Sequence, residues 1–404
     1  MDRPVEIEIH DLAYGGDGVG RLPDGRVLLV PFSAVGDRLL VRLETRHRRF
    51  ARGTIAELLE PGPARTDPRC PYYGDCGGCC CQHLAADEQV RLKAAQLCGL
   101  LARIGGVRSL PPVEEARPAP EVYGYRNKIA LRPVLSGAPG PAWGYTRRDN
   151  LSVLPIESCP IARPELNARL AALRASGDAA RLPSRRPQAD KLVLRCSSAG
   201  EVLAFRIPPK TLLTEKVLNR PLRVPAGGFF QVHLLVLDRL AGWLREACRE
   251  LSVAALVDGY CGCGVFALCL AELTGAEVIG IESDSASVRC AQENARAAGF
   301  GRCRFVAGAV EDHLESALKS AGDLNRAAVL LDPPRAGCSA RALETLLRLA
   351  PRTIILLSCN PATLARDLAR LRVGRSYDLR RLALFDMFPQ TAYFEVAAIL
   401  EKRA

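Results

Sequence analysis

The segment Ser358-Cys-Asn-Pro-Ala-Thr-Leu-Ala-Arg-Asp367 places a thiol at the end of an apolar run, with Pro361 positioned to open the next helix. Cys359 is therefore expected near a helix N-terminus, whose positive end favours thiolate over thiol and lowers a pKa that starts near about 8.5. Such a thiolate is a nucleophile, although a lone cysteine is more commonly a buried structural residue. A second set of thiols lies in Cys70-Pro-Tyr-Tyr-Gly-Asp-Cys-Gly-Gly-Cys-Cys-Cys81, with the spacing Cys-x5-Cys-x2-Cys through Cys70, Cys76 and Cys79. Cys159, in Glu157-Ser-Cys-Pro-Ile161, is a remote fourth. Such a set can hold zinc or an iron-sulfur cluster, and spacing does not choose between them. Cys80 and Cys81 are extra, so a shifted ligand register is open.

Two further motifs point to a nucleoside-like ligand. Asp258-Gly-Tyr-Cys-Gly-Cys-Gly-Val-Phe266 is a glycine turn opening a helix, where Gly262 and Gly264 allow close approach of backbone to ligand. Glu282, 24 residues after Asp258, ends the next strand, about where a carboxylate accepts both ribose hydroxyls of a nucleoside cofactor. A dinucleotide site would want glycine three residues after Gly264, where Ala267 stands. Asp332-Pro-Pro-Arg-Ala-Gly337 follows a third strand, and Arg335 occupies the place where amino-group methyltransferases carry an aromatic residue. Methylation of adenine amines or glutamine is thereby disfavoured.

The elements that must position these residues fall into three regions. Residues 1–62 read as short strands broken by glycine, suggesting a small β-barrel, with a basic stretch from Arg46 to Arg52 that could touch phosphates. Residues 68–225 read as a mixed α+β central region: the cysteine loop, a helix from Ala85 to Arg103, a loop from Pro111 to Pro120, and strands such as Tyr125–Arg132 and Lys191–Arg195 with exposed basic residues. Residues 226–404 alternate strands and helices, the pattern of an α/β doubly wound, Rossmann-like sheet with ligands at the strand C-terminal ends. The net charge of +11 suits a polyanionic partner. No run of about 18 apolar residues occurs, and Met1 to Val19 carries acidic residues and glycines where a signal peptide would be apolar. A cytoplasmic protein is expected, in which sixteen cysteines mean metal more often than disulfides.

Asp258, the two glycines, Glu282 and Asp332-Pro-Pro-Arg335 together resemble S-adenosylmethionine-dependent methyltransferases. Ser358-Cys-Asn-Pro at this distance after Asp-Pro-Pro-Arg resembles the uracil-5 RNA methyltransferases, and the likeness runs over nearly the whole chain. It implies Cys359 as nucleophile and Glu395, in Phe388-Pro-Gln-Thr-Ala-Tyr-Phe-Glu395, as the base. The family more often has histidine where Gln390 and Tyr393 stand. The likeness also implies that Gln231, in Gly228-Phe-Phe-Gln-Val-His233, joins Asp258, Tyr260, Gly262, Gly264, Glu282 and Asp332 at the cofactor, with His233 structural. Tyr125-Arg-Asn-Lys128 is similar to a substrate-contacting motif, which implies RNA contact by Arg126, Asn127 and Lys128. The N-terminal region resembles the TRAM domain, an OB-like RNA-binding barrel. Cys70, Cys76, Cys79 and Cys159 match the 4Fe-4S ligands of the family's iron-sulfur branch, where a structural role is expected.

A monomer acting on 23S ribosomal RNA is thus expected, with tRNA as the alternative substrate. Two readings of other classes stay open: a noncatalytic RNA-binding or redox-sensing protein on the same scaffold, and a zinc-containing methyltransferase of small molecules.

Overall fold

The computed structural model describes residues 3–403 apart from 135–141, 187, 188, 250, 252, 275, 372 and 374. Short alternating runs build the first sheet from β1 (Val5–Glu8), β2 (Asp11–Leu12), β3 (Gly18–Arg21), β4 (Val27–Val30), β5 (Arg38–Arg46) and β6 (Phe50–Glu60). They pair in the order β1-β5-β6-β4-β3-β2, and β1 also packs on β3. The sheet so closed encloses Ile7, Leu28, Val30, Leu39, Val41 and Ala51, the barrel expected here. Its buried Asp37 accepts the N–H groups of Ala34 and Gly62 and pairs with Arg65, which fastens the barrel to the linker behind it. The basic stretch forms the exposed tip of the β5–β6 hairpin.

Helix α1 (Ala86–Arg103) follows the cysteine loop, and β7 (Val113–Glu114), β8 (Lys128–Val134), β9 (Ala142–Thr146), β10 (Val153–Pro155), α2 (Pro164–Ser176), β11 (Leu192–Cys196) and β12 (Val202–Phe205) come next. Strands β8 to β12 make an antiparallel sheet in the order β10-β9-β8-β11-β12. Leu166, Leu170 and Leu173 of α2 cover it through Ile129, Leu131 and Leu194.

Three details of this region differ from the sequence expectation. The stretch from Pro111 to Pro120, expected as a loop, supplies β7, which adds to the C-terminal sheet beside Leu382 and Ala383. The hairpin of β13 (Leu212–Val217) and β14 (Arg220–Pro225) buries Leu213, Val217, Leu222 and Val224 in one core with Leu240 and Leu256, so that core spans position 226. Arg195, expected on an exposed basic strand, is 1% exposed. Its guanidinium donates to the carbonyls of Pro225, Ala226 and Gly228 beside Glu215, because a charge that deep requires partners.

The C-terminal unit continues with α3 (Leu234–Arg249), β15 (Ala255–Gly259), α4 (Val265–Thr274), β16 (Glu277–Glu282), α5 (Ser285–Ala297), β17 (Cys303–Ala307), α6 (Val310–Ser320), β18 (Ala327–Leu331), α7 (Ala340–Leu349), β19 (Thr353–Ser358), α8 (Pro361–Arg370), β20 (Tyr377–Phe385) and β21 (Glu395–Lys402). One sheet takes the order β17-β16-β15-β18-β19-β21-β20-β7. Strands β15 to β19 are parallel, while β21 runs antiparallel to β19 and β20. Every residue of β18 and β19 is buried, which is why they read as unbroken apolar runs. The chain order reverses between β15 and β18, the point where such sheets open a ligand crevice at their carboxyl ends. No helix among the described residues is long and apolar enough to cross a membrane.

Helix α1 packs on this unit through Val90, Leu97 and Leu101, and it carries a buried ion pair. Lys93 Nζ donates to Asp386 Oδ1 at 2.7 Å, with side chains 3% and 1% exposed. Removing one partner strands the other charge away from water, so Lys93→Met is expected to destabilise the fold by about 3–5 kcal/mol. The check is a lowered urea midpoint, most of which the double variant Lys93→Met, Asp386→Leu recovers.

Candidate active site

Asp258, Glu282 and Asp332 stand at or just beyond the carboxyl ends of β15, β16 and β18. Asp258 is fully buried, and its Oδ2 accepts the Ala267 N–H at 2.9 Å while Oδ1 has no protein partner. The turn after it is left-handed at Tyr260 (φ 66°), Gly262 (φ 54°) and Gly264 (φ 87°), and the N–H groups of Tyr260 and Cys261 hold it by donating to Ile281 O. Gly262 N–H donates to Glu282 Oε2 at 3.0 Å, and Asp284 N–H to Oε1 at 2.8 Å. At Gly264 a Cβ would sit 3.3 Å from Ala291 Cβ, against α5. A glycine turn, an orphaned carboxylate oxygen and an acid on the next strand make a donor and acceptor set that fits a nucleoside.

Gln231 is nearly buried. Asn127 departs from its expected place on an RNA surface: it is 2% exposed, with Nδ2 donating to Gln231 O and its N–H to Val232 O. Lys128 Nζ reaches toward Gly228 O, and Arg126 Nε donates to Lys128 O. His233 stacks on Tyr125 at 4.7 Å and bonds Glu121 O. Burial depresses its pKa to about 4, so the ring is neutral and structural.

Cys359 follows β19 directly. The antiparallel register sets Ser358 against Val396, so one step further brings Cys359 opposite Glu395. The expectation of a depressed thiol pKa is overturned, because burial first, and then the negative charges of Glu395 and Asp332, push it up to about 11 against the pull of Arg335. The helix end does not compensate, since Asn360 caps α8 itself, accepting the Ala362 N–H on Oδ1. Glu395 is 2% exposed and its Oε1 lacks a protein partner. Burial, and then Asp332, raise its pKa well above the usual carboxyl range against Arg335, and burial takes Asp332 up to about 7. At neutral pH Cys359 therefore rests as a thiol.

The loop carrying Glu395 is held from three sides. Gln390, left-handed at φ 68°, accepts the N–H groups of Cys80 and Cys81 on its carbonyl. Its own N–H donates to Gln89 Oε1 at 2.9 Å, and its Oε1 accepts Gln89 Nε2 at 3.0 Å. Tyr125 OH donates to Pro389 O. Sequence reasoning missed Gln89 and Lys93. Their only signal was a pair of polar residues four apart on the apolar side of a helix.

Cys70, Cys76, Cys79 and Cys159 line one cavity of about 410 Å³ that extends to Arg335 and Tyr393. Burial, and then the charge of neighbouring thiols in the set, raise the pKa values of Cys70 and Cys76 and push Cys79 up to about 12. Cys80 and Cys81 lie 3.6 Å apart at their sulfurs and turn away, with Cys81 packed among Leu12, Ala34, Leu84 and Leu92. Among the described residues no three His, Cys, Asp or Glu are grouped to hold a metal ion.

Arg335 favours the Cys359 thiolate, so its loss must move deprotonation to higher pH. Alkylation of the Cys359 peptide by iodoacetamide, followed by mass spectrometry, is expected to keep accelerating from about pH 7 to pH 10. In Arg335→Gln the same rise is displaced toward alkaline pH.

The family described as tRNA (Uracil-5-)-methyltransferase matches residues 215–403, and the TRAM domain matches residues 3–56. A protein of Gloeobacter violaceus named as an RNA methyltransferase is 32% identical over 98% of this chain and 96% of its own length. One of Streptomyces avermitilis, also named as an RNA methyltransferase, is 32% identical over 100% of this chain and 99% of its own. The crystal structure of the Pyrococcus abyssi tRNA (uracil-54, C5)-methyltransferase with S-adenosyl-L-homocysteine shares the fold, with a TM-score of 0.71 at 23% identity over 98% of this chain and 100% of that one. With a barrel, a doubly wound sheet and relatives alike from end to end, the chain belongs to the S-adenosylmethionine-dependent uracil-5 RNA methyltransferase family.

Proposed function

We propose that the protein methylates carbon 5 of a uridine in 23S ribosomal RNA, with Cys359 as nucleophile and Glu395 as base. The observation that carries this reading is the opposition of a thiol and a buried carboxyl across β19 and β21, at the edge where the nucleoside-sized turn lies. Carbon 5 of uracil is too poor a nucleophile to be alkylated unaided. Once the thiol proton of Cys359 has passed to solvent, addition of the thiolate at carbon 6 turns the ring into an enolate with electron density at carbon 5. S-adenosylmethionine, when bound, supplies an electrophilic methyl group to that carbon; Gln231, Asp258, Tyr260, Gly262, Gly264, Glu282 and Asp332 would hold it. Glu395 then accepts the proton from carbon 5, and the thiolate leaves as the ring is restored. Its raised pKa suits a carboxylate that must take and keep a proton, while Arg335 supports the thiolate. The uridine must be unpaired or flipped out of its helix to reach Cys359.

The barrel and the four-cysteine set favour ribosomal RNA, since the branch acting on 23S RNA is similar in both. The matching family's description names tRNA, and tRNA is the second reading. Arg126 and Lys128 are the proposed RNA contacts of the central strand. Cys70, Cys76, Cys79 and Cys159 would hold a 4Fe-4S cluster in a structural role; four thiols lining one cavity support that reading, although they are not grouped as closely as a metal ion requires.

Purified enzyme and unmodified RNA are expected to yield 5-methyluridine. Cys359→Ser should lose at least roughly a thousandfold in rate, and Glu395→Gln should accumulate a covalent protein–RNA adduct that survives denaturing gels. Methylation by Cys359→Ser at the wild-type rate would overturn the reading, and nucleoside analysis of rRNA and tRNA from a strain lacking the gene decides the RNA class.

Anaerobically purified protein should carry about four iron and four acid-labile sulfide per chain, lost in Cys79→Ser. One zinc per chain in their place would refute the cluster.

A further inference from the structure

The barrel reaches the catalytic edge. Its β2–β3 turn, Ala13-Tyr-Gly-Gly-Asp17, uses left-handed backbone at Gly15 (φ 114°) and Gly16 (φ 97°). A Cβ on Gly16 would lie 2.9 Å from Cys80 Sγ and 3.7 Å from Ala392 Cβ, so the turn sits directly on the loop that ends in Glu395. This seat carries Tyr14 to the mouth of the site, where its hydroxyl donates to Asn360 Oδ1 at 3.4 Å, one residue beyond Cys359. The ring stays 39% exposed. Across the mouth is Tyr393, 40% exposed, with the Arg335 guanidinium 4.2 Å above its ring. Burial raises the Tyr14 pKa, and the Tyr393, Arg335 and Cys359 charges are near enough to act on it.

Two half-exposed rings and a planar cation around one thiol are a poor way to stabilise a fold. A long hydrogen bond from an exposed phenol contributes little, and a purely structural aromatic residue at a domain junction would be buried. The same three groups suit an unstacked nucleic acid. When a uridine leaves its stack to reach Cys359, its neighbours lose a stacking face, and aromatic or guanidinium planes are what proteins offer in exchange. We propose that Tyr14, supplied by the N-terminal barrel, is a substrate-binding residue of the catalytic site, and that with Tyr393 and Arg335 it stacks the nucleobase flanking the target uridine. The inference rests on the uracil-methylation reading and adds to it a role for the barrel inside the site, beyond a general grip on phosphates.

The test compares Tyr14→Ala, Tyr14→Leu and Tyr14→Phe in the full-length enzyme. An RNA stem-loop bearing one unpaired uridine is used for methylation and for binding by fluorescence anisotropy. Tyr14→Ala and Tyr14→Leu should raise both KM and Kd for RNA about tenfold or more, with the Kd for S-adenosylmethionine unchanged. Tyr14→Phe keeps the ring and should restore most of the affinity. Replacing the flanking nucleotide by an abasic one should weaken binding to the wild type but add little to the defect of Tyr14→Ala. If Tyr14→Ala binds and methylates RNA as the wild type does, or if Tyr14→Phe falls as far as Tyr14→Leu, the stacking role is wrong and uracil methylation stands. A wild-type enzyme that binds the stem-loop without methylating any RNA sinks the uracil reading instead, while the anisotropy series still decides whether Tyr14 contacts RNA.

Discussion

One antiparallel strand in an otherwise parallel neighbourhood decides where the chemistry can happen. A parallel sheet delivers only the ends of its strands to the ligand edge, so Asp332 and Cys359 arrive there as the chain leaves β18 and β19. Strand β21 runs the other way, so its first residue, Glu395, reaches the same edge from the opposite direction. Reversal of that strand would carry the carboxyl to the far side of the sheet. The register between β19 and β21 sets the spacing of the Cys359 thiol and the Glu395 carboxyl more firmly than any loop could, because slipping by one residue would exchange the side chains packed on the two buried faces of the sheet.

The same burial that fixes the geometry sets the electrostatics. Burial raises the thiol and both carboxyls, and negative neighbours add to it at Cys359 and Glu395. Arg335 is the counterweight at the mouth, and it acts on Cys359 and Glu395 together. A site arranged in this way keeps Cys359 a thiol at neutral pH, which limits oxidative damage to its sulfur.

Much of this was legible before the fold was known. Apolar runs ending in Asp258, Glu282, Asp332 and Cys359 marked the ligand edge, because parallel strands buried on both faces must read that way. What escaped notice depends on residues distant in sequence. A rule about helix ends suggested an acidic Cys359 thiol, but the approach of Glu395 and Asp332 is a tertiary fact that local pattern cannot carry. Arg195 looked like a solvated strand residue and is a buried clamp on the turn before Gln231. Strand β7 is two residues long and has no sheet without β20.

The two-residue strand β7 has a consequence for how the molecule is made. Glu114 pairs with Arg381, 267 positions later, and Lys93 of α1 and the cysteine loop lean on Asp386 and Gln390. During synthesis from the N-terminus the barrel can close early, but these early segments must wait for the last strands to leave the ribosome before they find their partners. The fold is thus a late-closing one: the stretch from Cys80 to Glu114 is locked in place by residues 381–390, and a translation product interrupted before them would expose the polar groups that the finished fold hides.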